Sequence, residues 1–359
     1  MAEYHITLRE DNGTALTDIK TFSRLYYSRV ANAVGTLEIS LPGTFDRSLF
    51  VPDRRLDVYR NGRRERVYFL RGVLYVTEEN GNRRTVLTGR CSNYLLTSRI
   101  VAYPAGSIQA KQTDFGDDMI KAVVNQNFST SATDSARQIA AAYLTIEGDT
   151  SLGPTLTNQT FPRENVLKVV QQLAEACRGG GTPIYFDLYA VDDSLFQFRT
   201  MKSQPGMDHT YPNGIGPVLI GPDYGNLVEA TLKYDYDDEA TYVYAGWKGE
   251  GADRNVQTTS DTTRLNRSLF SRREVWIDAS QEPSATAALD RAKGRLVEGR
   301  PNLRFFGRLQ GDGYGSQWDF GDKVSAFYED RQYDCIVKAV EVTVEPKSEK
   351  IMAHLEYIE

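Results

Sequence analysis

Imidazole titrates near neutrality and is the commonest metal-binding side chain, so histidine is the first place to look for chemistry. His5, His209 and His354 stand far apart. None falls in an H-E-x-x-H run or beside a cysteine pair with zinc spacing, so a histidine-based metal site lacks its ligand set. Cys91, Cys177 and Cys335 are odd in number, widely spaced and set among apolar residues. They are expected to be buried free thiols. The run Asp235-Tyr236-Asp237-Asp238-Glu239 offers hard oxygen ligands of the kind calcium takes, but it lacks the spaced Gly and closing Glu of an EF-hand loop. It reads as a solvated acidic turn between two Tyr-rich strands. Gly179-Gly180-Gly181-Thr182 follows a helical pattern, whereas a phosphate loop must precede a helix, so it reads as a helix stop. Gly246-Trp247-Lys248-Gly249-Glu250-Gly251 has no following Lys-Ser/Thr and reads as a turn. No Gly-x-Ser-x-Gly elbow is present. The 48 acidic residues allow many carboxylate pairs for hydrolysis, yet nothing singles one out. These residues therefore predict no catalytic, cofactor-binding or metal-ligating position.

The elements that would position any site are mostly strands. The chain has 359 residues, room for two or three domains, and 21 tyrosines with many Val and Thr in short runs. Its 42 basic and 48 acidic residues leave a net charge of −6. That argues against nucleic-acid binding driven by phosphate neutralisation, and against polybasic membrane association. The N-terminus shows no signal-peptide pattern and no apolar run reaches the length of a membrane span. The sequons at Asn127, Asn158 and Asn266 carry little meaning without secretion.

Residues 1–97 read as strands: Glu3–Arg9, Thr36–Leu41, Leu56–Arg60 with a turn at Asn61-Gly62, and Val67–Glu78 with Arg83–Thr88 around Asn80-Gly81. A texture change near residue 98 predicts helices over Phe115–Asn127, Asp134–Ala142 and Glu164–Arg178. The last places Val166, Val170, Leu173 and Cys177 on one stripe beside Leu167 and Ala174, with Pro162 near its start. Strands Pro183–Val191 and Leu195–Thr200 follow, joined by Asp192-Asp193. Met201–Gly225 is rich in Pro and Gly and reads as a boundary or long surface loop. Strands resume at Asn226–Tyr234, Thr241–Trp247 and Ser271–Asp278. An Ala-rich helix over Pro283–Gly299 carries Ala285, Ala288, Leu289, Ala292 and Leu296 on one face. A meander of Val324–Tyr328, Cys335–Glu345 and Ile351–Tyr357 closes the chain. Val170 and Leu173 are the expected helix anchors, and Gly246 and Gly321 the expected turn glycines.

Taken in order, several segments resemble the tail-tip and baseplate hub proteins of long-tailed phages and tail-like particles. They are Leu70–Val76, Val86–Arg90 and Tyr94–Ile100; the helix Asn165–Ala174 followed by glycines; Asn226–Lys233, the acidic turn and Tyr242–Gly246; and the Ala-rich helix, Trp318–Val324 and two closing strands. Each is weak alone, and the order carries the resemblance. It implies a β-rich α+β fold of two similar, tail-tube-like β-barrels with an inserted α+β region, divided as 1–97, 98–220 and 221–359. It also implies a ring, usually a homotrimer, that caps the tail tube, with a central channel for DNA. Expected partners are the tail tube or distal tail protein, the tape-measure protein and the tip or fibre proteins, with no membrane anchoring and no sequence-specific nucleic acid. The place implied is the virion tail tip, after synthesis in the host cytoplasm. Relatives often carry an extra C-terminal peptidase or receptor domain. This chain stops at the meander, so no enzyme activity is expected. An acidic channel wall would repel passing DNA. Two other readings compete: a hydrolase of cell-wall glycan or peptide, and a carbohydrate-binding module using Tyr234, Tyr236, Tyr242, Tyr244 and Trp247.

Overall fold

The structure, a computed structural model, describes residues 2–102, 110–132, 134–161, 163–309 and 313–357. Its first stretch contains Tyr4–Arg9 (β1), Ala15–Ile19 (β2), Arg24–Val30 (β3), Thr36–Pro42 (β4), Arg55–Arg60 (β5), Arg63–Thr77 (β6) and Arg83–Cys91 (β7). Asn61 and Gly62 take φ values of 50° and 76°, the positive pair that a two-residue hairpin loop requires, and turn β5 into β6. Along β3, Leu25 and Tyr27 are buried while Arg24 and Tyr26 face outward, the period of two that a half-buried strand imposes.

The middle of the chain contains Ala110–Phe115 (β8), Gly116–Phe128 (α1), Leu144–Ile146 (β9), Thr155–Phe161 (β10), Val166–Gly179 (α2), Ile184–Ala190 (β11) and Phe196–Lys202 (β12). On α2, Val166, Val169, Val170, Leu173, Ala174 and Cys177 are buried, so the apolar stripe packs inward as expected. Asn165 caps its start by accepting from the Lys168 amide, and Gly181 follows its end at φ +84°. Pro162 lies outside the described residues. The expected helix over Asp134–Ala142 is a single 3-10 turn, Ser135–Arg137. Most of that stretch is exposed, and the Ile139 amide donates to the Phe128 carbonyl. Nine residues without a buried stripe are too few to hold a helix by propensity alone.

The last stretch contains Asp208–His209 (β13), Leu219–Ile220 (β14), Leu227–Asp235 (β15), Tyr242–Lys248 (β16), Asn255–Ser260 (β17), Thr262–Leu265 (α3), Glu274–Asp278 (β18) and Ala285–Glu298 (α4). Asn302–Leu309 (β19), Lys323–Tyr328 (β20), Arg331–Glu345 (β21) and Ser348–Tyr357 (β22) complete it. α4 covers one face of a small sheet ordered β17-β16-β18.

The β-rich expectation holds, but the strands of both flanks pair within one 14-stranded sheet. Its main order is β15-β19-β22-β21-β3-β4-β7-β6-β5-β1-β2. The joint is the antiparallel ladder between β3 and β21, from Ala339 opposite Val30 to Val344 opposite Leu25. Inside the Pro/Gly-rich stretch, β13 and β14 pair with β20, so this loop belongs with the final strands. Inward side chains from both flanks, including Leu8, Tyr27, Leu56, Phe305, Val340 and Ala353, share one apolar cluster. The sheet rolls around that core until the β1 residue Tyr4 reaches the β22 residue Glu349, 2.5 Å from phenol to carboxylate. Among the described residues no pairing joins the β15 edge to the β2 edge, so no closed barrel forms.

Candidate functional site: a buried ionic junction

Where the two ends of the chain meet, the core contains charge. Glu65 on β6, Arg29 on β3, and Tyr314 and Asp319 on the loop before β20 form one network. The Tyr314 hydroxyl donates to Glu65 Oε2 at 2.6 Å. Arg29 Nη1 donates to Asp319 Oδ1 at 2.9 Å and to the Tyr314 oxygen at 3.1 Å, and lies 3.5 Å from Glu65. Arg63 also pairs with Asp319. Beside this network, Arg60 donates to the Tyr4 oxygen at 2.9 Å, to Glu349 at 3.2 Å and to the Tyr314 carbonyl at 2.8 Å. Its guanidinium lies over the Tyr314 ring.

Burial pushes the Tyr27 and Tyr314 phenols well above their ordinary range. Burial would also raise Asp319, but Arg29 and Arg63 outweigh it and hold this carboxyl below its usual value. Burial opposes the charge on Arg29, and Tyr314, Asp319 and Glu65 reverse the balance, so it stays protonated. Among the described residues, Arg29 Nε is the one buried polar atom of the network without a hydrogen-bond partner; the remaining contacts fix the geometry, because removing one member strands the others in low dielectric.

Two further clusters fasten the middle region to the sheet. Arg66 on β6 makes a two-pronged pair with Asp187 on β11, both contacts at 2.6 Å. Asp57 on β5 sits among Arg9, Arg55 and Arg64. Arg55 donates to the Asp193 carbonyl at the tip of the β11–β12 hairpin, at 2.6 Å. Burial raises Asp57 above the usual carboxylate range, while burial is outweighed by Arg66 at Asp187, which lies below it.

The structure does not bring the expected chemical residues together. His5 stacks on Tyr59, His209 binds the Ile215 carbonyl and faces Asp322 at 3.5 Å, and His354 lies 3.0 Å from Glu341 on β21. Among the described residues no group of three or more His, Cys, Asp and Glu is placed to hold a metal. The three cysteines are free and buried as expected, and burial pushes the Cys177 thiol up to about 12. The acidic run is not uniformly solvated: Asp235 pairs with Lys233, but Glu239 is buried and pairs with Arg264 and Arg267. Gly321 is a turn glycine at φ +90°, whereas Gly246 is a strand residue. A Cβ at Gly246 would meet the Trp276 ring at 2.5 Å. Of the proposed aromatic platform, Tyr234 and Tyr236 are exposed, while Trp247 packs against the α4 core. Val170 and Leu173 are buried.

The junction residues Arg29, Glu65, Tyr314, Asp319 and Glu349 went unread. One signal existed: Arg29 shares inward parity with Leu25 and Tyr27, and a cation on a buried face demands a partner.

A family model described as siphovirus ReqiPepy6 Gp37-like protein matches residues 5–355. The chain belongs to this family. Among solved structures, the 43 kDa tail protein of prophage MuSo2 from Shewanella oneidensis is similar at 11% identity and a TM-score of 0.64. The match covers 99% of this chain and 98% of that one. The tail protein from Neisseria meningitidis MC58 gives 12% identity and a TM-score of 0.63, over 98% and 96% of the two chains. The E. coli c3393 protein, a type VI secretion component described as structurally similar to the T4 tail proteins gp27 and gp5, gives 10% and 0.51, over 99% and 77%. No curated protein matches the sequence. The fold is thus that of phage tail proteins, as the resemblance implied. Among the described residues no helix is long and apolar enough to cross a membrane.

Proposed function

We propose that this chain is a structural, non-enzymatic hub of a phage tail tip. Copies of it close a ring, a homotrimer, that caps the tail tube and leaves a channel for DNA. Its two β-rich flanks (1–97 and 221–359) act as two barrel-like lobes around the inserted region (98–220), so that three copies offer six similar lobes to the tube. Tube or distal tail protein lies on one side, tip or fibre proteins lie on the other, and the tape-measure protein ends within. It is made in the host cytoplasm and resides in the virion tail tip.

One observation carries this reading. The outward face of the joined sheet is largely polar, and several of its charges are paired between neighbours: Arg24 with Glu38 at 2.6 Å, His354 with Glu341 at 3.0 Å, and Arg308 with Glu229 at 3.2 Å. Thr36 and Thr343 lie between. A wall of that kind, balanced rather than acidic and with Lys350 as an exposed cation, gives a sliding polyanion few free cations to hold it. The Arg- and carboxylate-filled junction supports the same reading, since it welds the flanks into one rigid body.

The test is the mass of the purified chain by light scattering, with negative-stain images, alone and mixed with the tail-tube protein. Rings of three copies support the reading. A chain that stays monomeric in both conditions, or that clears bacterial cell wall in a zymogram, rejects it.

A further inference from the structure

The turn between α3 and β18 presents Leu269 and Phe270, 96% and 81% exposed, more than any other large apolar residues described. The turn beneath them is fixed. The Ser268 hydroxyl meets the Ser271 hydroxyl at 2.9 Å and accepts from the Phe270 amide at 3.2 Å. Thr241, fully buried, donates to the Ser271 carbonyl at 2.7 Å and accepts from the Arg273 amide at 2.8 Å. Buried Glu239 takes both guanidinium nitrogens of Arg267, at 3.2 and 2.8 Å. The base is therefore rigid, and the tip is apolar and uncovered. A rigid apolar side chain is the kind of group that anchors protein interfaces.

The same chain carries an open cleft. It measures about 840 Å³ and lies between the loop around β14 and the loop that carries Tyr314. Its walls are mixed: Ile215, 71% exposed, and Leu219 are apolar, while His209, Asn226 and Gln317 are polar. A cavity of about 150 Å³ already holds a benzene ring, so the cleft has room for Phe270 and Leu269 together. Charge is complementary too. Arg273 stands exposed beside the tip, and Asp223 stands exposed on the turn Pro222–Tyr224 beside the cleft; among the described residues neither side chain has a partner.

We infer that the Leu269–Phe270 tip of one copy inserts into this cleft on a second copy, with Arg273 of the first facing Asp223 of the second. Tip and cleft are different patches, so the contact is heterologous and propagates until it closes or runs on as a filament. The inference rests on the proposed ring and names the contact that closes it.

Two full-length variants test it, Phe270→Cys and Ile215→Cys, mixed under mild oxidation. The native thiols are buried, so new links report the engineered pair. The expected result is a linked dimer from the mixture, and a covalent ring from the chain that carries both changes. Leu269→Asp is expected to weaken self-association at least about 100-fold, the scale of losing an interface anchor. At concentrations where the chain is monomeric its melting temperature should not move, because the side chain touches nothing in the free chain. Arg273→Glu should also weaken association, and Asp223→Arg in the same chain should restore it. Rings that form normally with Leu269→Asp and never link overturn this contact and leave the ring intact. Protection of Phe270 by another tail protein, with no self-linking, overturns it as well. A chain that never assembles, even beside tube protein, removes the ring and this contact together.

Discussion

The β3–β21 joint and the small sheet under α4 are stabilised in opposite ways. Beside the joint, Arg29 of β3 and Asp319, 290 residues apart in sequence, are held together with Glu65 and Tyr314 in one ionic network. Under α4, buried Ala245, Ala288 and Ala292 allow close packing, and Gly179 on α2 approaches the Gly294 backbone on α4. Charge pairing is directional and specifies one arrangement, which suits a weld between distant parts of a chain. Small apolar residues let elements approach closely but specify little else. That suits a module whose remaining surface, Trp276 and the Leu269–Phe270 tip, points outward.

Breaking one partner separates the two mechanisms most sharply. Arg29→Ala leaves Glu65 buried without its cation and Asp319 with Arg63 alone, and is expected to cost about 3–5 kcal/mol in urea denaturation. Arg24→Ala, on an exposed pair, should cost at most about 1 kcal/mol. In the small module, Ala292→Leu at a fully buried site should cost about 1–3 kcal/mol through overpacking, with no dependence on salt or pH. Tyr314→Phe, which removes one hydroxyl and leaves its Glu65 acceptor short of a donor, should cost about 1–2 kcal/mol.

The smallest expected effect is a pH slope. Asp187 is held below the usual carboxylate range, so its pairing with Arg66 contributes fully above the unfolded value, near about 4. That contribution is lost as pH falls through the lower folded value. Melting temperature should therefore decline on acidification below about pH 4, and Asp187→Asn should flatten the decline. Ala292→Leu should leave its slope unchanged.

The same contrast explains what the sequence revealed. Segments with strong local periodicity, such as α2, α4 and β20 to β22, were legible because their buried faces repeat at fixed spacing. β3 and β19 were not individually legible. In β3 the inward parity includes Arg29, and in β19 Phe305-Phe306-Gly307 interrupts the alternation. Asp134–Ala142 has helical propensity without a buried face, and tertiary packing decided against it. Gly246 reads as a turn from its glycine neighbours, but the close approach of Trp276 is a matter of register between β16 and β18. The junction was illegible as a unit, because its members meet only after the sheet has rolled up.

The most direct test is a density map of the assembled tail tip at a resolution that shows side chains. Copies of this chain should form a closed ring with Arg24, Glu341 and His354 facing the central channel, their carboxylate pairs intact. A map in which that face lies on the outside of the particle, or beneath another protein with no ring formed, contradicts the account.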